Sequence, residues 1–124
     1  GEKILLRVAC LGYQQHALRV DEIPLNVVGV DATRLTTPYW TDTVALGPGE
    51  GRDILFTAPA YDASRAVVPA GGTSPCNVYL LKNREYRKTV NPGVPGLGGM
   101  VTEIRVYPGQ SLPVQGAPNE VFSA

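Results

Sequence analysis

Scarcity narrows the chemistry of this chain before any motif is considered. It carries one histidine, two cysteines, one methionine and one tryptophan. With a single imidazole and no Gly-x-Ser-x-Gly elbow, nothing supplies a base beside a Ser, Thr or Cys nucleophile. Cys10 and Cys76 are far apart in sequence, unlike the closely spaced ligand pairs of a zinc site. Eleven basic and eleven acidic residues cancel, which removes the electrostatic basis for a nucleic-acid or anionic-membrane partner. No apolar run approaches the roughly 18 residues of a membrane span. There is also no secretory signal, no internal repeat and no amphipathic helical stretch of useful length.

What is present reads as short strands. Over 124 residues, 44% hydrophobic, the chain holds 14 glycines and 11 prolines spread along its length. That distribution suits many strands joined by tight turns in one domain. Ile4–Cys10, His16–Val20, Leu25–Val30, Thr43–Leu46, Arg52–Thr57, Asn77–Lys82 and Val101–Tyr107 have strand character, the last by clear alternation. Gly47-Pro48-Gly49-Glu50-Gly51 is the clearest turn. Residues 58–75 and 91–99 read as loops, and 109–124 as a linker or C-terminal tail. About seven strands at intervals near ten residues predict an all-β, antiparallel sandwich.

Most chemical candidates yield to plainer readings. The basic stretch from Lys82 to Lys88 reads as a solvated strand end, and Asp21, Glu22 and Asp31 as solvated turn residues. The glycine-rich run from Gly93 to Gly99 opens no helix, so it lacks the helix N-terminus a phosphate cradle needs. Two cysteines permit one disulfide, Cys10–Cys76, which would imply an oxidising compartment; two buried free thiols fit equally well. Tyr39 and Trp40, in a loop after Pro38, are interface candidates for a neighbouring domain, the other reading being packing into the domain's own core.

Three stretches, in order and at the right spacing, resemble the plastocyanin-like domains of multicopper oxidases. Residues 1–12, from Gly1-Glu2 through Arg7 to Gly12, are similar to the family's strand that opens "GE" and ends "R-x-x-N-x-G". Residues 23–32 (Ile23-Pro24-Leu25-Asn26-Val27-Val28-Gly29-Val30-Asp31-Ala32), followed by residues 46–55 with Pro48-Gly49-Glu50, resemble its second stretch. Gly99-Met100 through Ile104, Val106 and Pro108 resembles its closing strand. The resemblance covers about 110 residues and implies a Greek-key cupredoxin-like β-sandwich.

It also allows the family's copper positions to be read one by one. The pattern "H-P-x-H-x-H-G" falls on His16 to Glu22, so a blue-copper histidine is present as His16, while the two histidines for a trinuclear cluster fall on Arg19 and Asp21. Arginine stays protonated and has no lone pair to offer. "H-C-H" falls on Lys82-Asn83-Arg84, and there is no cysteine or histidine anywhere between Asn77 and Gly99. A blue-copper centre needs a thiolate and two imidazoles around the metal, with a weak axial ligand. His16 and Met100 are therefore vestigial type 1 positions, with no metal, cofactor-binding or catalytic residue expected in this chain. Cys76, about seven residues early, is expected at the opposite end of the sandwich.

The resemblance implies a copper-free structural domain over residues 1–108 of a larger multicopper-oxidase-like protein. Copper and dioxygen-dependent oxidation would belong to the parent, in a periplasmic or extracellular setting. The expected partners are other cupredoxin domains or a companion chain of the same protein. The family's one or two leading strands are missing before Gly1, so a partner segment is expected along that edge. A free-standing binding module using the 58–76 loop and the Trp40 region is the rival reading. A third has His16 contributed to an intersubunit copper site.

Overall fold

The computed structural model describes residues 1–109. It contains eight strands and two short 3-10 turns. The strands are β1 (Lys3–Ala9), β2 (His16–Val20), β3 (Leu25–Val30), β4 (Thr33–Thr41), β5 (Val44–Leu46), β6 (Gly51–Thr57), β7 (Asn77–Asn83) and β8 (Val101–Val106). They form two four-stranded antiparallel sheets, ordered β1-β6-β3-β4 and β5-β2-β7-β8. Only β3–β4 and β7–β8 are connected within a sheet. Every other connection crosses between the layers, which gives the expected sandwich.

Period-two alternation explains the core. In β3, Leu25 and Val27 point inward and are fully buried, while Asn26 and Val28 face out. Across the register, Val27 pairs with Ile54 of β6, and Ile54 with Leu6 of β1, so one layer of side chains runs through three strands. Val20, Val44, Leu46, Phe56 and Tyr79 close the layer from both sheets. At the β1 and β8 edges the inward side chains Ile4, Leu6, Val8, Ile104 and Val106 are only partly buried.

The β3–β4 connection is a two-residue turn in which Asp31 (φ 48) and Ala32 (φ 62) both occupy the left-handed region. That is the geometry of a hairpin turn matched to strand twist, where Gly is the favoured second residue. Asp31 is fixed by the Gly51 N–H donating to its Oδ1 at 2.7 Å.

One expectation needs correction, and one open alternative is decided. The segment holding Tyr39 and Trp40 is strand β4, not a loop. Pro38 and the lack of alternation hid it, because an edge strand tolerates proline on its free side and leaves most side chains exposed. Cys10 and Cys76 form no disulfide: both are buried free thiols. Cys10 follows β1 at the end near Glu50, whereas Cys76 precedes β7 at its other end, about 20 Å of strand from Asn83 at roughly 3.3 Å per residue. Bridging requires Cα atoms within about 7 Å. The loop at 58–76 is as expected, with a 3-10 turn at Ala63–Arg65 pinned by the buried Asn77 amide, which exchanges hydrogen bonds with the Asp62 backbone at 2.7 and 2.8 Å. Of the expected tail at 109–124, residues 110–124 lie outside the described residues.

Two stability measurements check this packing. Leu25→Ala is expected to cost about 2–5 kcal/mol in urea unfolding, through a cavity at a site that cannot collapse. Ala32→Gly is expected to raise stability by about 0.5–1 kcal/mol, since relief of the left-handed conformation exceeds the entropic cost of glycine.

Candidate functional site

One end of the sandwich gathers the residues with the most chemical interest. β2 begins there with His16, β7 ends there with Asn83, and the chain enters β8 there after Met100. Leu18 pairs with Asn83 across the β2–β7 ladder, which puts His16, two residues earlier on the same inward face, within reach of the Asn83 side chain.

The Asn83 carboxamide is 2% exposed and all its hydrogen-bonding groups have partners. Its Oδ1 accepts the Glu85 backbone N–H at 2.9 Å. That contact orients Nδ2 toward His16 Nδ1 at 3.0 Å and Met100 Sδ at 3.6 Å. With Nδ2 donating, Nδ1 of His16 is the acceptor and the ring proton sits on Nε2.

The backbone reinforces the cluster. Asn83 N–H donates to Met100 O at 2.9 Å, and Met100 N–H donates to Lys88 O at 2.6 Å. Gly99 passes so close to the Lys88 carbonyl that any Cβ there would collide with it, which explains a glycine directly before Met100.

Beside this cluster lies a shallow cleft of about 480 Å³, bordered by Gln14, Gln15, His16, Asn83, Glu85 and Lys88. Its charges are already matched. Lys88 Nζ donates to the Gln15 carbonyl at 2.6 Å and pairs with Glu85 at 3.0 Å, and Arg87 contacts the same carboxylate at 2.6 Å. Hydrogen bonds from Lys88, then Arg87, hold the Glu85 carboxyl below its ordinary pKa.

The other positions considered for metal lie on the outer face of the second sheet. Asp21 meets Lys82 at 2.6 Å and Arg19 at 3.2 Å, forming an ion triad, and Arg84 reaches Thr43 Oγ1 at 3.0 Å. Among the described residues, no three His, Cys, Asp or Glu side chains gather as a metal-binding group. The donors at the His16 end are an imidazole, a carboxamide and a thioether. That set does not fit a blue copper, which requires a thiolate and a second imidazole.

No family model matches the chain. It is 35% identical over 92 residues to Laccase-5 of Arabidopsis thaliana, covering 73% of this chain and 13% of that protein. To Laccase-12 of the same plant it is 35% identical over 101 residues, covering 77% and 18%. Among solved structures, the blue copper oxidase from Nitrosomonas europaea superposes with a TM-score of 0.63 at 23% identity, over 83% of this chain and 27% of that one. The multicopper oxidase mgLAC gives 0.66 at 21%, over 92% and 31%.

This chain is a cupredoxin-like domain of the multicopper oxidase family. The domain spans less than a fifth of the length of either laccase.

Within the domain, the structure brings His16, Asn83 and Met100 together and leaves Cys10 and Cys76 out of the cluster. Tyr39 and Trp40 lie on edge strand β4, 48% and 66% exposed, so neither is a core residue. Glu85 and Lys88 were missed as cleft residues. Their signal in the sequence, a charged run after a strand, reads equally well as solvated surface.

Removing the carboxamide tests its structural weight. Asn83→Ala strands the Glu85 N–H and the His16 acceptor, with an expected loss of about 1–3 kcal/mol in denaturant unfolding. Asn83→Asp keeps the acceptor for Glu85 but cannot donate to His16 or Met100. It should destabilise as well, whereas a purely steric role for residue 83 would leave the Asp variant near wild type.

Proposed function

We propose that this domain is a copper-free structural unit of a larger multicopper-oxidase-like protein. The parent is a copper-dependent oxidoreductase that uses dioxygen and acts outside the cytoplasm, with its coppers held by other domains. In this reading the domain spaces and orients those domains and takes no part in electron transfer itself.

One observation carries the proposal: the Asn83 carboxamide, where the resemblance puts the family's thiolate, spends both of its Nδ2 protons on His16 and Met100, where the resemblance puts two other type 1 positions. An amide nitrogen in that role offers no lone pair to a metal. At the positions the resemblance assigns to the trinuclear cluster, Arg19 and Lys82 share the Asp21 carboxylate in an ion triad of net charge +1, which supports the same reading because it repels a cation. A contribution of His16 to an intersubunit copper would require breaking its contact with Asn83.

Elemental analysis of the purified chain after copper loading and dialysis provides the test. Copper well below stoichiometry, and no intense visible band of a copper–thiolate bond, is the expected result. Stoichiometric retention with such a band would overturn the proposal.

A further inference from the structure

The chain's single histidine borders the cleft, and its neighbours dictate which form of the ring they can accept. Asn83 Oδ1 accepts the Glu85 N–H at 2.9 Å, so Nδ2 is the atom that faces His16 Nδ1 at 3.0 Å and Met100 Sδ at 3.6 Å. Nδ1 therefore has to accept, and only the neutral ring has a nitrogen free to do so.

A second proton on the ring removes that acceptor. With the amide as it stands, two N–H groups then face each other across 3.0 Å. Turning the amide over brings Oδ1 to the new N–H, but it sets Nδ2 against the Glu85 N–H and takes the donor away from Met100 Sδ. No orientation of the carboxamide satisfies all three of its neighbours once His16 is an imidazolium. Space for the ring to leave lies beside it, in the cleft bordered by Gln14, Gln15 and Glu85.

The other ionisable groups around His16 do not relieve this conflict. Across the β2–β5 ladder His16 meets only Leu46. In the turn after β5, Glu50 is occupied by the Gly47 N–H at 2.7 Å and by Arg52 at 3.0 Å. In the loop before β2, the Cys10 thiol donates to the Gln14 carbonyl at 3.2 Å and Tyr13 is fully exposed. After β7, Arg84 turns away to Thr43, while Arg87 and Lys88 both lie on Glu85. Glu85 is the one carboxylate on the cleft wall, so an imidazolium that leaves the amide enters the side of the site that carries a negative charge.

We infer that His16 is a proton-operated latch: the neutral ring accepts from Asn83 and ties β2 to the loop before β8, and the protonated ring leaves for the cleft and frees Asn83 and Met100 together. Histidine ordinarily exchanges its proton between about pH 5 and 8, so the contact is present at the upper end of that range and given up at the lower. The backbone bonds from Asn83 to Met100 and from Arg84 to Ala17 do not involve the ring, so the strands stay paired while the side-chain junction opens. The inference goes beyond the structural role proposed above and shares with it only the absence of a metal on His16.

NMR of the chain between about pH 8 and 5, with a chelator present, tests the latch. The His16 ring, the Asn83 side-chain amide and the Met100 methyl group should shift with one shared midpoint. The contact between the ring and the amide should be lost on the acid side. With one histidine in the chain, and with Lys88 and then Arg87 holding the Glu85 carboxyl below its ordinary pKa, that midpoint is assignable to His16. His16→Gln supplies an acceptor that takes up no proton, and it should leave the Asn83 and Met100 signals level across the range. Asn83 and Met100 signals that stay still while the ring titrates would overturn the inference. So would the same shifts in His16→Gln, or a ring that remains neutral throughout. Copper retained in the loading experiment refutes the copper-free reading and leaves a shared midpoint standing, whereas signals that fail to move together refute the latch alone.

Discussion

A single carboxamide joins three segments that would otherwise have no reason to meet. Asn83 ends β7, and its three hydrogen-bonding directions are used on His16 at the start of β2, on Glu85 in the following turn, and on Met100 before β8. In a sandwich with one layer of apolar core, the strand ends are where the structure is least supported by burial. Here a buried, fully satisfied polar network does the joining, and such networks strongly favour one arrangement over others. The backbone bonds from Asn83 to Met100 and from Met100 to Lys88 fix the intervening loop on the same footing.

That arrangement has a chemical consequence. A thiolate at residue 83 would have no hydrogens to give, and the imidazole and thioether beside it would be left to a metal. The amide instead aims the positive ends of two N–H dipoles at His16 and Met100. On the proposed reading, the fold has kept the geometry that once served a metal and uses it to hold the domain rigid. Rigidity of this kind suits a spacer.

Much of the fold was legible because burial leaves a period in the sequence. β1, β3, β6, β7 and β8 alternate or run apolar between turn signals, and the turn at Gly47–Gly51 separates β5 from β6 as read. β4 was not legible, because an edge strand with Pro38 and exposed side chains on both faces carries no burial signal. At the site, the resemblance puts Lys82-Asn83-Arg84 at the end of a strand and β7 ends at Asn83, so the meeting of Asn83 with His16 was within reach of the sequence. The direction of the amide was not: it is set by the Glu85 backbone N–H, a contact that exists only once the chain has turned. The fate of the cysteines was likewise a matter of which strand ends they occupy, and that depends on topology.

The central claim is that the Asn83 amide, and no metal, holds His16 and Met100 together. It is tested most directly by NMR of the side-chain amide of Asn83, the His16 ring and the Met100 methyl group during titration with copper. The account predicts a hydrogen-bonded, slowly exchanging Asn83 amide and signals from all three residues that persist at one equivalent of metal. Selective loss or shift of the His16 and Met100 signals at stoichiometric copper, with release of the amide, would contradict it.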